Sequence, residues 1–104
     1  MKATIGPMNV RLADMKTLPA SVAPYQRTKT FTQETVPKGL LGDHNTKAGV
    51  WGLITVVEGR LEYVIPSTGE TLVLDPETPG IVEPEVRHHV TPLGEVSFFV
   101  EFHR

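Results

Sequence analysis

Val50-Trp51-Gly52-Leu53-Ile54-Thr55-Val56-Val57-Glu58-Gly59-Arg60-Leu61-Glu62-Tyr63-Val64-Ile65 is the clearest stretch of this chain. Its β-branched and aromatic residues suit a pleated surface and leave little for a helix. Two β-rich runs, residues 50–57 and 60–65, flank Glu58-Gly59, where glycine tolerates the positive φ of a tight hairpin. The pattern continues downstream. Pro66-Ser67-Thr68-Gly69 reads as a turn, residues 70–74 as a strand, and 75–80 as a loop. A short strand over 81–83 is interrupted by Pro84-Glu85, and strands over 86–92 and 95–102 follow, with Gly94 turning between them.

Upstream the pattern is weaker. Residues 10–18 could form a turn or two of helix before Pro19, and 25–34 read as a strand. Val36-Pro37-Lys38-Gly39 reads as a turn, and residues 40–46 as a short strand or extended segment. Nine glycines and nine prolines leave little room for ordinary helices. The expectation is an all-β chain of roughly eight strands, as in a jelly roll. With 104 residues it makes one domain, 1–104, in which 1–17 form an N-terminal extension or short helix.

Composition narrows the chemistry. The formal charge is -2, from 10 basic and 12 acidic side chains, so there is no field to draw nucleic acid or an anionic membrane. No window approaches the roughly 20 apolar residues of a membrane span. The N-terminus lacks the apolar core of a secretory signal, and a cytoplasmic protein is expected. There is no cysteine, which excludes thiol nucleophiles, thiolate zinc sites and iron–sulfur clusters. No GxSxG, GxxxxGK[ST] or GxGxxG motif is present. Any metal must be held by imidazole and carboxylate.

The imidazoles are His44, His88, His89 and His103. Residues two apart on a strand share a face, so Val86, His88 and Val90 lie together and His89 lies opposite. His88 is then either a core histidine satisfied by backbone hydrogen bonds or a site residue. Glu101 is the one charge in Ser97-Phe98-Phe99-Val100-Glu101-Phe102. It either faces water from an edge strand or points into the core, where it would need a cation or a histidine. His44 sits in the polar patch Gly42-Asp43-His44-Asn45-Thr46-Lys47. Two neutral imidazoles and one carboxylate form a common set for Zn²⁺, Fe²⁺, Mn²⁺ or Ni²⁺. Only the fold could bring His44, His88 and Glu101 together.

Several segments carry a family resemblance. They are His44-Asn45-Thr46-Lys47-Ala48-Gly49-Val50-Trp51-Gly52, Val57-Glu58-Gly59-Arg60-Leu61-Glu62-Tyr63, Ile81-Val82-Glu83-Pro84-Glu85-Val86-Arg87-His88-His89-Val90, and Phe99-Val100-Glu101-Phe102. Leu18-Pro19, Tyr25 and Glu34-Thr35-Val36-Pro37-Lys38-Gly39-Leu40 add to them. Together they resemble a small cupin family related to YeaR and to the N-terminal part of TehB tellurite-resistance proteins, over nearly the whole chain. The resemblance implies a cupin-type double-stranded β-helix with its site inside the barrel. It matches His44 to the first-motif histidine, His88 to the second-motif histidine and Glu101 to an acidic position of the last strand.

The chain departs from the general cupin pattern. The first-motif glutamate position falls near Gly52, Thr46 and Lys47 stand where the other histidine would be, and the usual second-motif glycine is Glu85. What the resemblance leaves is a three-ligand divalent metal site of lower affinity, or no metal. The function it implies is a metal-binding cupin in tellurite resistance or stress response. The alternatives are a non-catalytic module that binds a small molecule or oxyanion, and a metal-dependent dioxygenase or isomerase. A homodimer is the assembly it favours. TehB-type proteins carry an S-adenosylmethionine methyltransferase domain, whose glycine-rich strand–loop–helix is absent here, so methylation is not expected.

Overall fold

The computed structural model describes residues 17–104. The expected helix over residues 10–18 lies almost wholly outside them. Among the described residues six strands form one antiparallel sheet: β1 (Pro24–Arg27), β2 (Phe31–Thr32), β3 (Trp51–Ile65), β4 (Glu70–Leu74), β5 (Gly80–Val82) and β6 (His89–His103). A short helix, α1 (Lys38–Leu41), precedes β3. The all-β class is as expected.

The count differs from the expected roughly eight strands for a physical reason. Both β3 and β6 run unbroken for 15 residues and pair with each other from Trp51↔His103 to Val64↔His89. Glu58-Gly59 and Gly94 do not turn the chain back. They sit at irregularities in the β3–β6 ladder, where the register shifts between Val56 and Glu58 and again between Gly59 and Leu61. Gly59 and Gly94 have φ of +83° and +89°, so Gly59 supplies the conformation foreseen for it, but both act in service of bulges. The remaining strands hang on this spine. β5 and β4 pair with the first and last parts of β3, while β1 and β2 pair with the C-terminal half of β6.

The bulge decides what is inside. In β3 the buried residues are Gly52, Ile54 and Val56, then Leu61, Tyr63 and Ile65. The buried phase switches from even to odd across residues 57–60, because one extra residue in a strand reverses the facing of all that follow. Apart from Gly52, these residues form one apolar core with Phe31, Leu74, Val82, Val90, Val96 and Phe98. Tyr63 enters it by donating its hydroxyl proton to Ile81 O at 2.9 Å, and burial pushes its phenol far above the usual tyrosine value.

Two N-terminal expectations are corrected. Residues 25–34 are not one strand: β1 ends at Arg27 and β2 begins at Phe31. Residues 38–41, placed partly in a turn and partly in an extended segment, form α1 instead, with Pro37 extended at its N-cap. Pro37 cannot donate a backbone hydrogen bond, and the first helical turn does not need one. The turn Pro66-Ser67-Thr68-Gly69 is as expected, closed by Gly69 N–H to Ile65 O at 3.0 Å.

Candidate functional site

The loop before β3 and the loop before β6 meet in antiparallel fashion. His44 N–H donates to His88 O at 2.9 Å, and His88 N–H donates to His44 O at 2.8 Å. Glu85 N–H donates to Thr46 O at 3.1 Å one step further on. Thr46 is itself held by its hydroxyl, which donates to Val50 O at 2.7 Å. Backbone pairing thus fixes two histidines that are 44 residues apart in sequence, and their rings lie 4.1 Å apart between centroids at 57°. The edge of Tyr63 meets His88 at 5.7 Å between centroids.

Glu85 has φ of +65°, the one non-glycine residue with positive φ among those described. It is also where the resembled family usually has glycine. A left-handed conformation costs a side-chain-bearing residue on the order of 1 kcal/mol. Glu85→Gly is therefore expected to raise unfolding stability by about 0.5–1 kcal/mol in urea. A loss of stability would mean that the Glu85 side chain contributes more than its backbone strain costs.

The protons of the histidine pair follow from their partners. His44 Nδ1 lies 2.9 Å from Gly42 O, and His88 Nδ1 lies 2.9 Å from Val86 O. A carbonyl oxygen only accepts, so each Nδ1 carries hydrogen and each neutral ring keeps its lone pair on Nε2. Burial pushes the His88 imidazole below its ordinary pKa, and the neighbouring His44 ring adds to this. His88 is 4% exposed and neutral at neutral pH. Both histidines line a cavity of about 630 Å³. Its walls are Ile54, Val82, Phe98, Val100 and Phe102, with Gly52 on the β3 side.

Residues 26–100 match the TehB-like domain. The chain belongs to this family. It is 32% identical over 76 residues to a Haemophilus influenzae protein described as a probable S-adenosyl-L-methionine-dependent methyltransferase TehB. That match covers 68% of this chain and 27% of the relative, and the TehB of a second H. influenzae strain is 30% identical over the same length. The chain spans about a quarter of the curated relatives that it matches. The crystal structure of H. influenzae TehB superposes with a TM-score of 0.73 at 27% identity, over 81% of this chain and 32% of that one. A crystal structure of an Escherichia coli K12 protein superposes with a TM-score of 0.80 at 18% identity, over 86% of this chain and 97% of that one, which shows a shared fold.

Within this TehB-like domain, Glu101 is not brought to the histidine pair. Val100 and Phe102 line the cavity, and Glu101, between them on β6, does not. Its carboxylate lies 2.8 Å from His103 Nε2 on the same strand face, and that contact explains a charge in so apolar a strand. No group of three or more His, Asp or Glu side chains suited to a metal ion occurs among the described residues. His89 faces away from the cavity as expected, but it has a partner: Asp43 Oδ1 lies 2.7 Å from its Nδ1. That bond, with Arg87 nearby, holds the Asp43 carboxyl below its usual value. The sequence reading missed this dyad, the Glu101–His103 pair, and the part of Lys47 and Arg104 in the cavity lining. No helix among the described residues is long and apolar enough to cross a membrane.

Proposed function

We propose that this domain is a cupin-type binding module whose barrel interior receives a small, largely apolar molecule, with the His44–His88 pair as its polar anchor. The observation that carries the reading is that two cavity-lining imidazoles both have Nδ1 bound to a backbone carbonyl. Both Nδ1–H groups are spent on backbone carbonyls, so Nε2 of each ring is left to accept from a hydroxyl or N–H of a guest. The cavity has the size and apolar walls of small-molecule sites, where a few fixed polar groups set orientation. The superpositions on TehB and on the E. coli protein support a shared fold, and the cupin reading rests on the family resemblance. A role in tellurite resistance or stress response rests on the family alone.

Titration of hexan-1-ol into ¹⁵N-labelled protein is expected to shift the amide signals of Ile54, Val82, His88 and Val90, and to leave Thr71 and Val73 of β4 in place. His88→Leu removes one acceptor and keeps the apolar bulk, so affinity should fall roughly threefold to tenfold, the worth of one hydrogen bond. Unchanged spectra at millimolar alcohol would end this reading.

A second reading has the two Nε2 atoms hold a divalent ion. Histidine ligands are commonly fixed through the opposite ring nitrogen in just this manner, and Gly42 O and Val86 O do so here. With no His, Asp or Glu among the described residues completing a set of three, the fit is to a weakly held ion with water or guest in its other positions. Zn²⁺ in place of the alcohol separates the readings: saturable shifts at both histidines, lost in His88→Leu, belong to the metal.

A further inference from the structure

The cavity lining is one-sided in charge. Lys47 and Arg104 line it together with the two histidines, and no aspartate or glutamate among the described residues does. This is not the average of the chain, which has more acidic than basic side chains. The acids nearest in sequence are turned elsewhere: Asp43 onto His89 and Glu101 onto His103. Lys47 and Arg104 are exposed while the apolar walls are buried or half-buried, so the cations stand where the cavity opens to water. The Arg104 guanidinium is stacked 3.9 Å over the Tyr25 ring, which holds it beside the opening.

We infer that the guest of this cavity is an organic anion: a carboxylate head at the Lys47–Arg104 mouth and an apolar body against Ile54, Phe98 and Val100. The inference rests on the binding reading above and adds the charge of the ligand to it. An inorganic oxyanion would use the mouth and leave the apolar wall unused. A cation would meet two positive side chains with no carboxylate to receive it. A neutral molecule would bury its apolar body but gain nothing from the mouth.

Four probes of graded chemistry test this on the full chain: hexanoate, hexan-1-ol, hexylammonium and inorganic phosphate, each titrated by NMR at low ionic strength. Hexanoate is expected to bind about threefold to tenfold more tightly than hexan-1-ol, which one or two exposed charge contacts can supply. Hexylammonium and phosphate should bind more weakly than either. The hexanoate advantage should shrink with added salt, since the mouth is in water. In Lys47→Gln most of the gap between hexanoate and hexan-1-ol should close, and Lys47→Arg should restore it. Hexanoate no tighter than hexan-1-ol overturns the anion inference and leaves the binding reading intact. Phosphate as tight as hexanoate overturns the apolar body. Absence of shifts with every probe sinks both.

Discussion

Replacing Gly59 with alanine is expected to lower the unfolding free energy by about 3–5 kcal/mol, in the range of the most damaging single substitutions. Two costs add. With φ of +83°, Gly59 has a conformation that penalises any side chain. A Cβ placed there would also lie 2.1 Å from Glu95 O and 2.9 Å from Val96 Cα, both backbone atoms of β6. Backbone cannot rotate aside as a side chain can, so the β3–β6 ladder must open at its bulge. The whole sheet hangs on that ladder, and a domain of this size has only about 5–15 kcal/mol in total. Gly94→Ala is the control. Its φ is +89°, yet nothing lies within 4 Å of the added Cβ. It should lose only the conformational part, about 1 kcal/mol. Urea midpoints that fall equally in the two variants would refute the close approach at Gly59.

That contrast shows what the sequence could reveal and what it could not. The requirement for positive φ at Gly59 and Gly94 was readable, because turn and bulge call for the same residue. Which of the two forms was not readable, because it depends on strands pairing across the chain. Burial parity does not separate them either: the switch from Ile54 and Val56 to Leu61, Tyr63 and Ile65 is also what a two-residue hairpin at Glu58-Gly59 produces, because cross-strand partners share a face. Helix α1 was missed because four residues are too few to show a 3.6-residue period.

The site divides in the same way. Alternation over Val86, His88 and Val90 was enough to turn His88 inward. Its pairing with His44 rests on a backbone bridge between distant loops, which no local pattern encodes. The mate of Glu101 was within reach, since His103 is two residues on and shares its face. The sequence leaves Glu101 open between water and the core, because its neighbours Val100 and Phe102 are apolar, yet in a strand those two lie on the opposite face.

The facing of β6 has its own test, and it has the second large effect. Phe98→Ala is expected to cost about 3–5 kcal/mol, as for other fully buried aromatic side chains cut to alanine. Phe98 is 0% exposed, lies 5.8 Å from the Phe31 ring between centroids, and forms part of the cavity wall. Phe99 is its neighbour in sequence and its opposite in position. It is only half-buried, and the Arg27 guanidinium covers its ring at 3.7 Å. Phe99→Ala should therefore cost about 1–2 kcal/mol, the lost cover and cation–π contact. Two adjacent phenylalanines with a difference of at least about 1.5 kcal/mol between them define one inward and one outward face. The same alternation then fixes Val100 and Phe102 with Phe98, and Glu101 and His103 with Phe99. Equal losses at the two phenylalanines would dissolve that assignment, and with it the ground for keeping Glu101 out of the cavity. A clear asymmetry leaves the two imidazoles as the proposed polar anchor inside the apolar wall, with no carboxylate of the described residues lining the cavity.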